Sequence, residues 1–120
     1  DTFSVLIIDR IGLLSRLYRY GDIAIIGGGE GTGIHNTLEP AAYGIPVIFG
    51  RKYDKFQEAV DFIEMGAARS VDSEKELASA LESLSSPDTR ENIKLDLQAY
   101  FKKQSGATGL ILQHIKNILQ

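Results

Sequence analysis

Residues 27–39, GGGEGTGIHNTLE, place a glycine loop directly before a short run of polar side chains. Five of residues 27–33 are glycine. Glycine admits positive φ and lets a ligand approach the backbone closely. A helix that begins after such a loop presents free N–H groups and a partial positive charge, which suits a phosphate. The chemistry suggested is a cradle for a nucleotide or phosphate, with Gly28, Gly29 and Gly31 as candidate lining. A tight turn that only allows close helix packing needs fewer glycines. His35 and Glu39 are four apart and share one helix face. Asn36 falls in the first turn, where its side chain can cap the helix or meet a ligand, and Glu39 can accept from two sugar hydroxyls. A purely structural reading also stands: Asn36 caps, Glu39 complements the helix dipole and His35 packs.

Spacing removes the commonest phosphate loops. Gly27 and Gly29 would need a glycine at Thr32 to complete the dinucleotide fingerprint, and Gly29 and Gly31 would need one at Ile34. Gly28 and Gly33 are followed by Ile34, not by the lysine of a P-loop. A carboxylate at Glu30 would repel a phosphate unless it points outward. One His and one Glu are too few ligands for zinc, so no metal site is expected. With no cysteine there is no disulfide, thiol nucleophile or cysteine-ligated metal. No Ser-His-Asp triad can be claimed from spacing.

The elements that must position these residues follow from apolar periodicity. Phe3–Ile8 and Ile23–Ile26 read as buried strands, with a helix over 11–20 between them, ended by Gly21-Asp22. After the glycine loop a helix spans 35–43 with Gly44 at its C-terminus, and 46–49 is a third strand. A loop containing Arg51 and Lys52 leads to a helix over 55–65, ended by Gly66, and 67–71 is a short fourth strand. Asp72 or Ser73 caps the next helix, with Glu76 placed as in a capping box. A further helix starts after Pro87, and Gly106 separates it from a last amphipathic helix over 108–119, whose apolar residues are Leu110, Ile111, Ile115, Ile118 and Leu119. Alternating strands and helices predict an α/β, Rossmann-like parallel sheet flanked by helices. Strands apolar on both faces fit it. In such sheets ligands bind beyond the carboxyl ends of the strands, which is where the glycine loop lies. Arg51, Lys52 and Lys55 share that edge, as three cations that are ordinarily solvated but can offset an anion. Gln57 and Glu58 open the next helix and can line the cleft. Tyr18, Tyr43, Tyr53 and Phe56 are expected in the core or at its rim.

The 120 residues suffice for one modest core. A net charge of -3 gives no argument for nucleic acid. No apolar run approaches the ~18 residues of a membrane span. The opening DTFSVLIIDR lacks the basic and long apolar regions of a signal peptide. It enters a strand almost at once, so a domain cut from a longer protein is expected.

GGGEGTGIHNTLEPAAYGIPVIFG resembles the signature of 3-deoxy-D-manno-octulosonic acid (Kdo) transferases: a glycine-rich loop, His-Asn-x-Leu-Glu, a small-residue helix, Gly-Ile-Pro-Val and Phe-Gly. Upstream, IIDRIGLLSRLYRYGDIAIIGGG is similar to the family's Asp and Gly, short helix ending in Leu-Tyr, and strand. KFQEA fits its downstream helix. The resemblance covers residues 5–71 well and the helical remainder loosely. It implies that residues 1–120 form the C-terminal, donor-binding half of a GT-B glycosyltransferase, with the helices from about 73 included. The donor would be CMP-Kdo, and the acceptor a lipid A precursor at the cytoplasmic face of the bacterial inner membrane. Peripheral membrane contact would belong to the full-length protein. Ile11, Gly12 and Leu13 would touch the cytidine nucleotide. Asn36, Thr37, Leu38 and Glu39 would hold its phosphate and ribose, and Gly28, Gly29, Gly31, His35 and Gln57 are further candidates. The catalytic base would be an acidic residue of an N-terminal domain not in this chain, and neither cofactor nor metal would be needed. Leu13 stands where many members have Glu, Glu30 where an apolar or neutral residue is usual, and Arg51 where proline is common. Glu30 and Arg51 could pair with each other.

Three alternatives remain at the sequence level. An NADP-dependent oxidoreductase would use Arg51 beside the 2′-phosphate, although the glycine spacing opposes it. A GT-B transferase using a UDP-sugar is nearer. A non-catalytic nucleotide-binding regulatory domain would signal through its C-terminal helices.

Overall fold

The computed structural model describes residues 5–8, 13–27 and 37–119. Four parallel strands form one sheet: β1 (Val5–Ile8), β2 (Ile23–Ile26), β3 (Val47–Phe49) and β4 (Ala68–Ser70), side by side in sequence order. The register aligns Val5 with Ile23, Ala24 with Val47, and Val47 with Ala68. Bonds from Ala24 N–H to the Pro46 carbonyl (2.9 Å) and from Val71 N–H to the Phe49 carbonyl (2.9 Å) continue the ladder past the strand ends. All four carboxyl ends therefore lie along one edge. The α/β, parallel-sheet reading holds.

The connections are a 3-10 helix (Leu13–Tyr20) between β1 and β2, and α1 (Leu38–Ala42) between β2 and β3. α2 (Gln57–Glu64) joins β3 to β4, and α3 (Glu74–Ser83) and α4 (Pro87–Leu119) follow. β2 and β3 are enclosed, with Ile23, Ala24, Ile26, Val47, Ile48 and Phe49 each at most 3% exposed. Burial on both faces is why these strands are apolar without alternation. They share a core with Ala59 and Phe62 of α2, Ala80 of α3, Leu84, and Ile93 and Leu97 of α4. The helices after residue 73 thus pack on the same core as the sheet. Tyr18, Ala24 and Ile45 make a second, smaller cluster.

Glycine stops two helices as expected. Gly44 (φ 81°) follows α1 and Gly66 (φ 82°) follows α2, the left-handed conformation that ends a helix without a Cβ clash. Ser73 caps α3, its Oγ accepting from the Glu76 N–H at 3.1 Å. Glu76 Oε1 returns the contact to the N–H of Asp72 at 3.1 Å, one residue before the cap. This is a variant of the capping box, in which the N–H before the N-cap, rather than the N-cap's own, is the second donor.

Three sequence expectations are corrected, the first being the helix expected over 35–43, which is the shorter α1 with Thr37 at its N-cap. The segment between β1 and β2 is a 3-10 helix, wound more tightly than the α-helix its spacing suggested. Gly106 does not separate two helices, because α4 runs unbroken from Pro87 to Leu119. One glycine inside a helix costs about 1 kcal/mol, which Ala, Leu and Gln neighbours with good helix propensity can offset.

Candidate functional site

The carboxyl edge of the sheet carries the residues singled out by sequence. α1 begins there, two residues beyond the undescribed part of the glycine loop. Thr37 stands at its N-cap with helical angles (φ -95°, ψ -14°) and makes no side-chain cap bond. Its side chain is 1% exposed, and Oγ1 has no hydrogen-bond partner. It is the one such buried side-chain atom among the described residues. An unsatisfied buried hydroxyl costs ~1–3 kcal/mol, and a ligand group could relieve that penalty. Leu38 follows at 40% exposure. Glu39, in the first turn of α1, is half-buried. Burial, and then the Glu39 carboxylate, push the Tyr18 phenol above its ordinary pKa. Glu39 therefore lies within electrostatic reach of the 3-10 helix that Leu13 begins. Tyr18 also meets the Tyr43 ring at 6.0 Å between centroids.

A cleft of ~440 Å³ opens between Leu38 of α1, residues Gln57, Glu58 and Asp61 of α2, and Tyr100 and Phe101 of α4. Gln104 completes its rim. Asp61 organises it: Gln57 Nε2 donates to Oδ1 at 2.8 Å, and the Tyr100 O–H donates to Oδ2 at 3.0 Å. Desolvation, followed by the Asp61 hydrogen bond and the charges of Asp61 and Glu58, pushes the Tyr100 phenol up to about 12. Beneath the cleft, Phe62 of α2 meets Tyr100 edge-on at 5.3 Å and Phe101 at 6.1 Å. These ring contacts seat α4 against α2.

Leu38 and Gln57, both chosen from sequence, line this one cleft. Thr37 and Glu39 adjoin Leu38 in the chain, and Leu13 begins the 3-10 helix. Ile11, Gly12, Gly28, Gly29, Gly31, His35 and Asn36 lie outside the described residues, as does Glu30. Arg51 pairs with Glu76, Nη2 to Oε1 at 2.6 Å. This ties the loop after β3 to the capping box of α3. Lys52 and Lys55 are exposed. Sequence reasoning missed Asp61, Tyr100, Phe101 and Gln104. Asp61 was detectable, since it lies four residues after Gln57 on one helix face. Tyr100 was not, being 39 residues from its partner. Among the described residues no group of His, Cys, Asp or Glu could hold a metal ion, and no helix is long and apolar enough to cross a membrane.

No protein-family model matches the chain. It is 36% identical over 118 residues, 97% of its length, to the 3-deoxy-D-manno-octulosonic acid transferase of Aquifex aeolicus. It is 34% identical over 118 residues to the enzyme of the same name from Bordetella pertussis. The matches cover 31% and 28% of those proteins, so the chain spans about a third of their length. Among solved structures, the C-terminal CMP-Kdo binding domain of WaaA from Acinetobacter baumannii matches with a TM-score of 0.63 at 21% identity, covering 81% of this chain and 60% of that one. At that identity the likeness speaks for the fold. Over nearly its whole length the chain is thus similar to a part of 3-deoxy-D-manno-octulosonic acid transferases, and it shares its fold with the C-terminal domain of WaaA.

Proposed function

We propose that the chain is the donor-binding part of a longer Kdo transferase, holding CMP-Kdo while another domain presents a lipid A precursor. The observation that carries this reading is the 118-residue match to transferases of that name. The placement of Thr37, Leu38 and Glu39 at the carboxyl edge, beside the start of α1, supports it. In this reading residues 11–13 and 36–39 both contact the nucleotide. Glu39 accepts from the ribose hydroxyls. Asn36, Thr37 and the Leu38 N–H meet the phosphate, with Gly28, Gly29, Gly31 and His35 around it.

The reaction is a direct displacement. An acidic residue of the other domain takes the proton of an acceptor hydroxyl. That oxygen bonds to the anomeric carbon as the bond from carbon to the phosphate oxygen breaks, with inversion. The electron pair leaves with CMP, whose growing charge the N–H groups and the Thr37 hydroxyl stabilise. The acceptor places the full-length protein at the cytoplasmic face of the inner membrane.

Titration of the chain with CMP, UMP and NADP, followed by amide NMR shifts, tests the reading. CMP is expected to shift Gly12, Asn36 and Glu39, and Asn36→Ala or Glu39→Ala to abolish those shifts. A preference for NADP or UMP over CMP would sink the proposal.

A further inference from the structure

The cleft between α1, α2 and α4 has a hydrogen-bonding polarity of its own. Tyr100 has one phenolic proton and gives it to Asp61 Oδ2, so its oxygen is left only as an acceptor. Gln57 commits one N–H to Asp61 Oδ1, which fixes the amide and leaves Oε1 to accept. Glu58, when ionised, accepts only. Among the described residues no Lys or Arg lines the cleft. Leu38 and Phe101 add apolar surface. Apart from the second amide N–H of Gln57 and the amide of Gln104 at the rim, such a lining offers acceptors and C–H contacts to whatever enters, and two carboxylates oppose an anion. The complementary ligand is uncharged, rich in O–H donors and partly apolar.

CMP-Kdo carries both kinds of group. Its phosphate and sugar carboxylate are anionic, whereas the rest of the sugar bears hydroxyls on a carbon chain. The cleft adjoins Leu38, in the segment assigned above to the phosphate. A donor anchored there could reach the cleft with its sugar. We infer that this cleft takes the hydroxyl-bearing part of the donor sugar, excludes its anionic groups, and uses Gln57 as the contacting residue with Asp61 as a positioning residue held by Tyr100. The inference rests on the donor-binding reading.

The test uses the full-length transferase and two readouts: the KM for CMP-Kdo and the inhibition constant of CMP, which lacks the sugar. Gln57→Ala is expected to raise KM roughly tenfold, the worth of about one hydrogen bond. Asp61→Asn and the milder Tyr100→Phe, which keeps the ring contacts, should raise KM severalfold. CMP inhibition should stay within about twofold of wild type in all three, because the nucleotide contacts are untouched. If KM and the CMP constant rise together, or if KM is unchanged in all three variants, the inference is overturned. A wild-type enzyme that turns over but ignores CMP would instead overturn the donor-binding reading, and this inference with it.

Discussion

Thr37 presents an unusual balance at the scale of one residue. Its hydroxyl is enclosed and unpartnered in the chain alone. Thr37→Val keeps the shape and removes the hydroxyl. Without ligand, the variant should melt at the same temperature as wild type or higher, because an unpaired buried group has been deleted. With CMP, the stabilisation by ligand should fall if the hydroxyl meets the phosphate. Melting curves with and without CMP measure both. A variant that loses stability in the absence of ligand would show that the hydroxyl already has a partner. Arg51 illustrates a different lesson. The sequence offered Glu30 as its partner, a residue outside the described ones; among the described residues it pairs with Glu76, on the third element after β3. Both side chains are well exposed, so the bond is worth at most ~1 kcal/mol.

At the scale of elements, the two helix-ending glycines make a controlled comparison. Gly44 and Gly66 have nearly the same positive φ. A Cβ on Gly44 would lie 2.5 Å from Lys94 Cγ, whereas one on Gly66 would meet nothing within 4 Å. Gly66→Ala should therefore lose only the left-handed backbone penalty of ~1–2 kcal/mol. Gly44→Ala should lose that and also displace Lys94, which loosens α4 beside α1. Chemical denaturation of both variants checks the order, and equal losses would mean that Lys94 yields freely. The same reasoning explains what periodicity could and could not show. Residues 23–26 are apolar on both faces and bounded by Gly21-Asp22 and Gly27, so β2 was legible to the residue. The continuity of α4 through Gly106 was not, because glycine weakens a helix without forbidding it.

At the scale of the whole molecule, α4 is the element that joins distant parts. Pro87, Arg90 and Lys94 lie beside Gly21 and Ile45, near the amino ends of β2 and β3, while Tyr100 and Phe101 reach the cleft at the carboxyl edge. The hydrogen bond from Tyr100 to Asp61 is one of its ties to α2. The phenol titrates at about 12 in the fold against 10.0 ordinarily, so folding favours its protonated form. That contribution is fully present below pH 10.0 and is lost as pH rises through about 12. Tyr100→Phe should be less stable than wild type at neutral pH, and the gap should close across that alkaline window. Asp61→Asn should lower the phenol's titration midpoint, followed through phenolate absorbance. A midpoint unchanged by Asp61→Asn would remove Asp61 as a cause of the shift.

The sequence by itself determined the alternation of strands and helices, the stops at Gly44 and Gly66, a cap at Asp72 or Ser73 and the family resemblance carried by residues 25–50. These are local properties, set by neighbours within a turn or two of the chain, and a linear pattern records them. The tertiary structure decided which side chains meet. It put Leu38 and Gln57 on one cleft, brought Glu39 within electrostatic reach of Tyr18, gave Arg51 to Glu76 and brought Tyr100 across 39 residues to Asp61. Such contacts depend on how helices lie across a sheet, and helix placement is fixed by the shared core of β2, β3, α2 and α4 rather than by any one segment.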